Sequence, residues 1–300
     1  MAAARFGEVV TAMVTPFDRD GSVNLKGARR LAAHLVDHGS DGLVVCGTTG
    51  ESPTLDRDEK LALFENVAEE VGDRAAVIAG TGTYDTAESL ALTREAAERG
   101  ADAALVVTPY YSRPPQNALR AHFEAVADDS AIPLVLYDIP GRTGRRIERD
   151  TTVALAGHER IVAVKDAVGD PGETARLRAD LDAAGHPEFE IYSGDDGVVL
   201  PHLAAGAVGV ISVCSHLVGG RIKEMFGAWN RGDAAGARRI YLELVPLFAV
   251  IMGVTTSPIP VKAAVAMLGI EVGDPRLPLV AATEEQSRAI RAAMEGSGIL

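Results

Sequence analysis

Short apolar runs alternate with amphipathic stretches along most of the chain. The runs cover residues 9–14, 42–46, 76–79, 103–107, 133–137, 161–165, 190–192 and 208–212. Their apolar residues follow one another without the in–out alternation of a half-solvated strand, the pattern of parallel strands covered on both faces. Between the runs, residues 25–38, 58–71, 86–99, 118–127, 152–156, 172–184 and 196–203 carry apolar positions at helical spacing. Strand and helix alternating in this way predict a closed (β/α)8 TIM barrel. An open doubly wound sheet is the rival, but it announces itself by a glycine-rich turn after the first strand, absent here. Beyond Ser212 the strand pattern stops, and residues 221–230, 234–252, 260–268 and 284–294 all read as helices. The expected division is a catalytic α/β barrel over residues 1–222 and a C-terminal helical extension over residues 223–300.

Composition narrows the function classes. Hydrophobic residues make up 47% of the 300, enough to bury a large core, so a disordered chain is excluded. The net charge of −13 argues against nucleic acid and anionic membrane as partners. It leaves small anionic substrates open, because those respond to local charge. No run approaches the roughly 18 apolar residues that span a bilayer. Residues 1–10 lack the apolar segment of a secretory signal, so a cytoplasmic location is expected. Cys46 and Cys214 lie at the ends of apolar runs and read as reduced core thiols rather than a disulfide. His34 and His38 have a metal-binding spacing, but Leu35 stands where a His-Glu-x-x-His motif needs its glutamate, and no cysteine or acidic cluster completes a site. Phosphate-binding glycine loops and a Gly-x-Ser-x-Gly elbow are likewise missing.

Candidate chemistry comes from the strand ends, where barrel enzymes carry it. Only five of the 29 lysines and arginines are lysines: Lys26, Lys60, Lys165, Lys223 and Lys262. Lys26, Lys60 and Lys223 fall in polar helical surroundings, and Lys262 reads as a packing or pairing residue of the extension. Lys165 differs, because the apolar run before it delivers its amine to the barrel mouth. Burial disfavours a charged ammonium, and an uncharged amine attacks carbonyl carbon to form a Schiff base. The bland alternative is a structural lysine paired with Asp166. Tyr137 ends the neighbouring strand and could carry protons, with Thr48 and Tyr111 extending a hydroxyl relay; core packing is its alternative. The backbone N–H groups around Thr48-Thr49-Gly50 can hold a carboxylate, unless the segment is only a tight turn. Arg142, between two glycines in a loop, can grip a second carboxylate, or simply face solvent.

Together, Gly47-Thr48-Thr49-Gly50-Glu51, Val107-Thr108-Pro109-Tyr110-Tyr111, Tyr137-Asp138-Ile139-Pro140-Gly141-Arg142-Thr143-Gly144 and Val164-Lys165-Asp166 resemble the dihydrodipicolinate synthase family of pyruvate-dependent aldolases. The resemblance runs from about Gly7 to near the C-terminus and includes Ser257-Pro258-Ile259-Pro260-Val261-Lys262. It implies that pyruvate forms an imine with Lys165, that the derived enamine attacks L-aspartate-4-semialdehyde, and that ring closure releases 4-hydroxy-tetrahydrodipicolinate. That is the first committed step of diaminopimelate and lysine biosynthesis. Tyr137, Thr48 and Tyr111 would relay protons, the residue matching Tyr111 reaching an adjacent subunit's site. Thr49 would hold the pyruvate carboxylate, Arg142 the semialdehyde carboxylate, and Gly194 and Ile211 would line the pocket through backbone groups. The resemblance further implies no metal or organic cofactor, and a homotetramer built as a dimer of dimers.

Sister aldolases share the barrel and the lysine but cleave sugar acids such as N-acetylneuraminate or 2-keto-3-deoxygluconate. Thr48-Thr49 and the arginine of Gly-Arg-Thr-Gly favour the synthase, since an arginine there suits a short substrate bearing its own carboxylate. A non-catalytic relative is opposed by the intact set of Lys165, Tyr137, Thr48 and Tyr111. Arg57 and Lys60 stand where lysine-sensitive members often carry histidines, and Tyr84 where they often carry asparagine. Repulsion of a cationic ligand by the two added cations makes lysine inhibition weak or absent in this reading.

Overall fold

The computed structural model describes residues 4–300; Met1–Ala3, the start of the segment read as carrying no signal, lie outside them. Eight parallel strands close into a barrel in sequence order. They are β1 (Val9–Ala12), β2 (Gly42–Val45), β3 (Ala76–Gly80), β4 (Ala103–Val107), β5 (Leu134–Asp138), β6 (Ile161–Asp166), β7 (Glu190–Ser193) and β8 (Gly209–Ser212). β8 pairs with β1 through Val9–Val210 and Thr11–Ser212, so the sheet has no free edge. The helices α1 (Leu25–Asp37), α2 (Arg57–Val71), α3 (Thr86–Glu98) and α4 (Gln116–Asp129) follow the first four strands. After β5 come a single turn, α5 (Pro140–Thr143), and α6 (Arg149–Ala156); then α7 (Pro171–Ala183), α8 (Val199–Ala204) and α9 (Ser215–Asn230) complete the ring. The chain ends in α10 (Ala234–Gly253), α11 (Ile259–Met267) and α12 (Glu284–Gly296).

Local chemistry starts these helices where they are needed. Asn24, Asp56, Asp85, Asp170, Asp233 and Thr283 each accept backbone N–H bonds of a first turn, and Asp56 with Glu59 and Thr283 with Gln286 form reciprocal capping boxes. Three shells of apolar contact result. The barrel axis is filled by Val10, Val44, Ile78, Leu105, Val135, Tyr137, Ala163, Tyr192 and Ile211. A second cluster lies under α4, α6 and α7. The third runs from α1 and α2 through α9 into α10–α12. The extension therefore shares one core with the barrel. α9 also crosses residue 222 as a continuous helix with one non-helical residue, Val218.

Several expected boundaries move. β1 stops at Ala12 because the N–H of Val14 is taken by His216 Nε2 at 3.1 Å instead of a strand partner. Cys46 leaves β2, adopting a left-handed φ of 54°. Residues 196–203 split into a 3-10 turn and α8, and α9 begins at Ser215 rather than near residue 221. Lys60 is not in polar surroundings. It lies with Phe64, Val67 and Val71 on the inward stripe of α2 and is 6% exposed. Lys262 is a pairing residue as expected: its Nζ lies 2.7 Å from Glu51 Oε1 with both side chains buried.

Candidate active site

The parity of β5 and β6 decides which strand-end residues meet. Tyr137 pairs with Lys165 in register, and Val135 and Ala163, two residues earlier on each strand, both fill the barrel axis. Tyr137 and Lys165 therefore point inward as well. Lys165 Nζ lies 4.4 Å from the Tyr137 ring centroid. The lysine is 5% exposed and makes no ion pair or hydrogen bond among the described residues. The alternative pairing with Asp166 does not occur. Asp166 points outward, where Thr174 Oγ1 donates to it at 2.6 Å and the Val168 N–H at 3.0 Å. Asp138 on β5 is also turned outward, accepting from the Ile147 N–H at 3.1 Å. Burial, reinforced by Asp166, raises its carboxyl to about 7.

A cavity of about 240 Å³ opens at the carboxyl ends of the strands. Its walls include Gly47, Thr48, Ser52, Tyr110, Tyr137 and Arg142. Thr48 and Tyr137 thus share one cavity, although no hydrogen bond joins their hydroxyls in the described residues. Unliganded sites commonly leave such relays open until substrate binds. The Thr48-Thr49-Gly50 loop is folded back on itself: the Glu51 N–H donates to the Thr48 carbonyl at 3.1 Å, and Ser52 N–H to the Gly47 carbonyl at 3.2 Å. Thr15 Oγ1 donates to the Gly50 carbonyl at 2.6 Å. Among the described residues, no acceptor meets the backbone N–H groups of Thr48, Thr49 and Gly50. Successive free backbone donors can take an anion, and of these three residues Thr48 lines the cavity. The side chain of Thr49 is buried beneath this loop.

Arg142 lies in the α5 turn rather than an irregular loop, with Gly144 ending the turn at φ 68°. Its Nη2 donates to the Ser257 carbonyl at 3.3 Å, and it forms no ion pair among the described residues. Gly194 sits after β7, where a Cβ would lie 2.7 Å from Ala167 Cβ, so a side chain is excluded sterically. Ile211 lies on β8 in the axial core, 1% exposed. Tyr111 is not brought to this cavity by its own chain: it is 93% exposed with a left-handed φ of 66°.

Asp196, Ser52 and Tyr110 were not assigned from sequence. Buried Asp196 accepts from Ser212 Oγ and from the N–H groups of Val213 and Cys214 at 2.9 and 3.0 Å, tying the loop after β7 to the end of β8. Its only sequence signal is an acid beside a short helix start. Arg57 is held in a bidentate pair with Glu95 at 2.7 and 2.8 Å, and Lys60 faces inward. His34 and His38 stack with ring centroids 3.9 Å apart, and among the described residues no group of three or more candidate metal ligands gathers.

A closed parallel barrel with a buried, unpaired lysine below a mouth of hydroxyls, free N–H donors and one arginine defines a (β/α)8 enzyme working at the carboxyl ends of its strands. The model of the Dihydrodipicolinate synthetase family matches residues 5–296, and the chain belongs to that family. It is 50% identical over 296 residues to the 4-hydroxy-tetrahydrodipicolinate synthase of Moorella thermoacetica, covering 99% of this chain and 100% of that protein. The crystal structure of dihydrodipicolinate synthase DapA-2 from Bacillus anthracis superposes with a TM-score of 0.93 at 42% identity, over 97% and 98% of the two chains. The chloride-inhibited dihydrodipicolinate synthase from Acinetobacter baumannii, complexed with pyruvate, gives a TM-score of 0.94 at 34% identity, over 98% and 100%.

Proposed function

We propose that this chain condenses pyruvate with L-aspartate-4-semialdehyde to 4-hydroxy-tetrahydrodipicolinate, the entry step to diaminopimelate and lysine. One observation carries the reading: Lys165 is buried at the barrel mouth, beside Tyr137, with no carboxylate of the described residues to neutralise it. Its amine attacks C2 of pyruvate, and water leaves to give an imine. Loss of a methyl proton gives the enamine, whose carbon attacks the semialdehyde's aldehyde. The substrate's own amine then attacks C2, closes the ring and frees Lys165. Tyr137 and Thr48, walls of one cavity, carry the protons. The free N–H groups at Thr48-Thr49-Gly50 take the pyruvate carboxylate, and Arg142 takes that of the semialdehyde. Gly194 and Ile211 present backbone groups to the bound substrates.

Tyr111 belongs in this account as a residue given to a neighbouring subunit. Its 93% exposure, next in sequence to the cavity-lining Tyr110, supports that role, and with it a homotetramer of tight dimers. No helix of the described residues is long and apolar enough to cross a membrane, and we place the enzyme in the cytoplasm. Residues 1–222 supply the catalytic barrel and residues 223–300 the supporting extension. The test is consumption of both substrates in a coupled assay with the pathway's next reductase. Cleavage of a sugar acid with no turnover of the semialdehyde would assign the chain to a sister aldolase instead.

A further inference from the structure

The loop whose Gly47, Thr48 and Ser52 line the cavity is held from outside the barrel. Glu51, immediately after Gly50, is 2% exposed and sits at a left-handed φ of 59°, a conformation that non-glycine residues adopt only when their surroundings hold them there. Its Oε2 accepts from the Arg276 N–H at 2.9 Å. Its Oε1 lies 2.7 Å from Lys262 Nζ of α11, off the axis of a hydrogen bond, so that contact is ionic. Lys262 is itself packed 4.2 Å over the Phe17 ring and reaches the Asp274 carbonyl at 3.4 Å. Arg276 covers the other side, bonding Glu59 and the Thr54 and Gly21 carbonyls. Among the described residues, every partner of the Glu51 carboxylate thus comes from the C-terminal extension.

We infer that Glu51 and Lys262 are positioning residues: the extension, through this buried ion pair, fixes the Thr48-Thr49-Gly50 loop in the shape that receives the pyruvate carboxylate. The inference rests on the proposed reaction for its kinetic consequence. On the semialdehyde side of the cavity, Arg142 donates to the Ser257 carbonyl and, among the described residues, makes no hydrogen bond or ion pair with Glu51 or Lys262. Removing one partner leaves an uncompensated buried charge and a destabilised chain. Removing both charges, in Glu51→Gln with Lys262→Met, avoids an uncompensated buried charge at similar volume, and the glutamine keeps an acceptor for the Arg276 N–H.

The double variant separates positioning from mere support. Support alone predicts that KM for both substrates returns to normal once stability does. Positioning predicts that KM for pyruvate stays raised by about tenfold, since small misplacements of binding groups are costly, while KM for the semialdehyde stays within about twofold. It also predicts faster amide exchange in residues 47–52 than in the wild type. Glu51→Asp, which keeps the charge and tolerates a positive φ, is the second variant if the double one folds poorly, with the same two readouts expected in milder form. A folded variant with wild-type exchange at residues 47–52 and wild-type KM for pyruvate would overturn the inference. Exchange needs no turnover, so it judges the tether even if the wild-type chain fails to consume semialdehyde, an outcome that would instead sink the proposed reaction.

Discussion

Acid should loosen this enzyme through His216, and the effect can be sized. His216 Nε2 accepts the Val14 N–H at 3.1 Å, while its Nδ1 is 2.8 Å from the Val213 carbonyl. Only the neutral tautomer carrying its proton on Nδ1 satisfies both partners. A proton on Nε2 would face the Val14 N–H donor to donor. Burial, with a smaller contribution from His34, lowers the group from 6.5 to about 4. The unfolded chain therefore takes up the proton first as pH falls. The histidine's contribution to stability is fully present above about pH 6.5 and is lost progressively toward pH 4. Between pH 7 and pH 5 the loss amounts to about 2 kcal/mol. For a chain of 300 residues that is about 3 °C in Tm. The comparison is thermal unfolding of wild type and His216→Gln at fixed protein concentration over that range. Glutamine can accept from Val14 and donate to Val213 without titrating. His122, lowered by burial to about 4, and the other buried groups are common to both proteins, so the difference isolates His216. The variant should start less stable at pH 7 and converge on the wild type as pH falls. Parallel curves would refute the reasoning.

Asp138 runs the opposite way. Its folded-state value, raised by burial from 3.8 to about 7, means that its contribution is present at low pH and lost as pH rises through about 7. Asp138→Asn should therefore gain stability relative to wild type by a few kcal/mol between pH 5 and pH 8, read by urea unfolding at each pH; a constant difference would contradict it. Arg142→Ala removes a charged donor pair from one carboxylate only. Its KM for the semialdehyde should rise about 10- to 100-fold. Borohydride trapping of pyruvate should remain near normal, and equal loss of both would remove the assigned role.

The strands are legible in the sequence because parallel barrel strands are apolar on both faces, so runs such as residues 103–107 stand out unbroken. Lys165 is legible for the same reason, as a cation closing such a run. The start of α9 is not, because Gly219 and Gly220 and the non-helical Val218 interrupt the apolar period there. Lys60 misleads because its neighbours Asp58 and Glu59 are polar, while its burial follows from residues a turn and more away. The short α5 turn around Arg142 is too brief to show a period. Glu51 and Asp196 are invisible for a different reason. Their partners, Lys262 and Arg276 in one case and Ser212 to Cys214 in the other, are brought to them only by barrel closure and by the return of the extension.

The proposed reaction depends on the unpaired amine of Lys165 forming the imine. Incubating the enzyme with pyruvate, reducing with borohydride and mapping peptides by mass spectrometry tests it directly. One reduced pyruvyl adduct is expected, on Lys165, and none in Lys165→Met. An adduct on another lysine, or none on an enzyme that turns over both substrates, would contradict it.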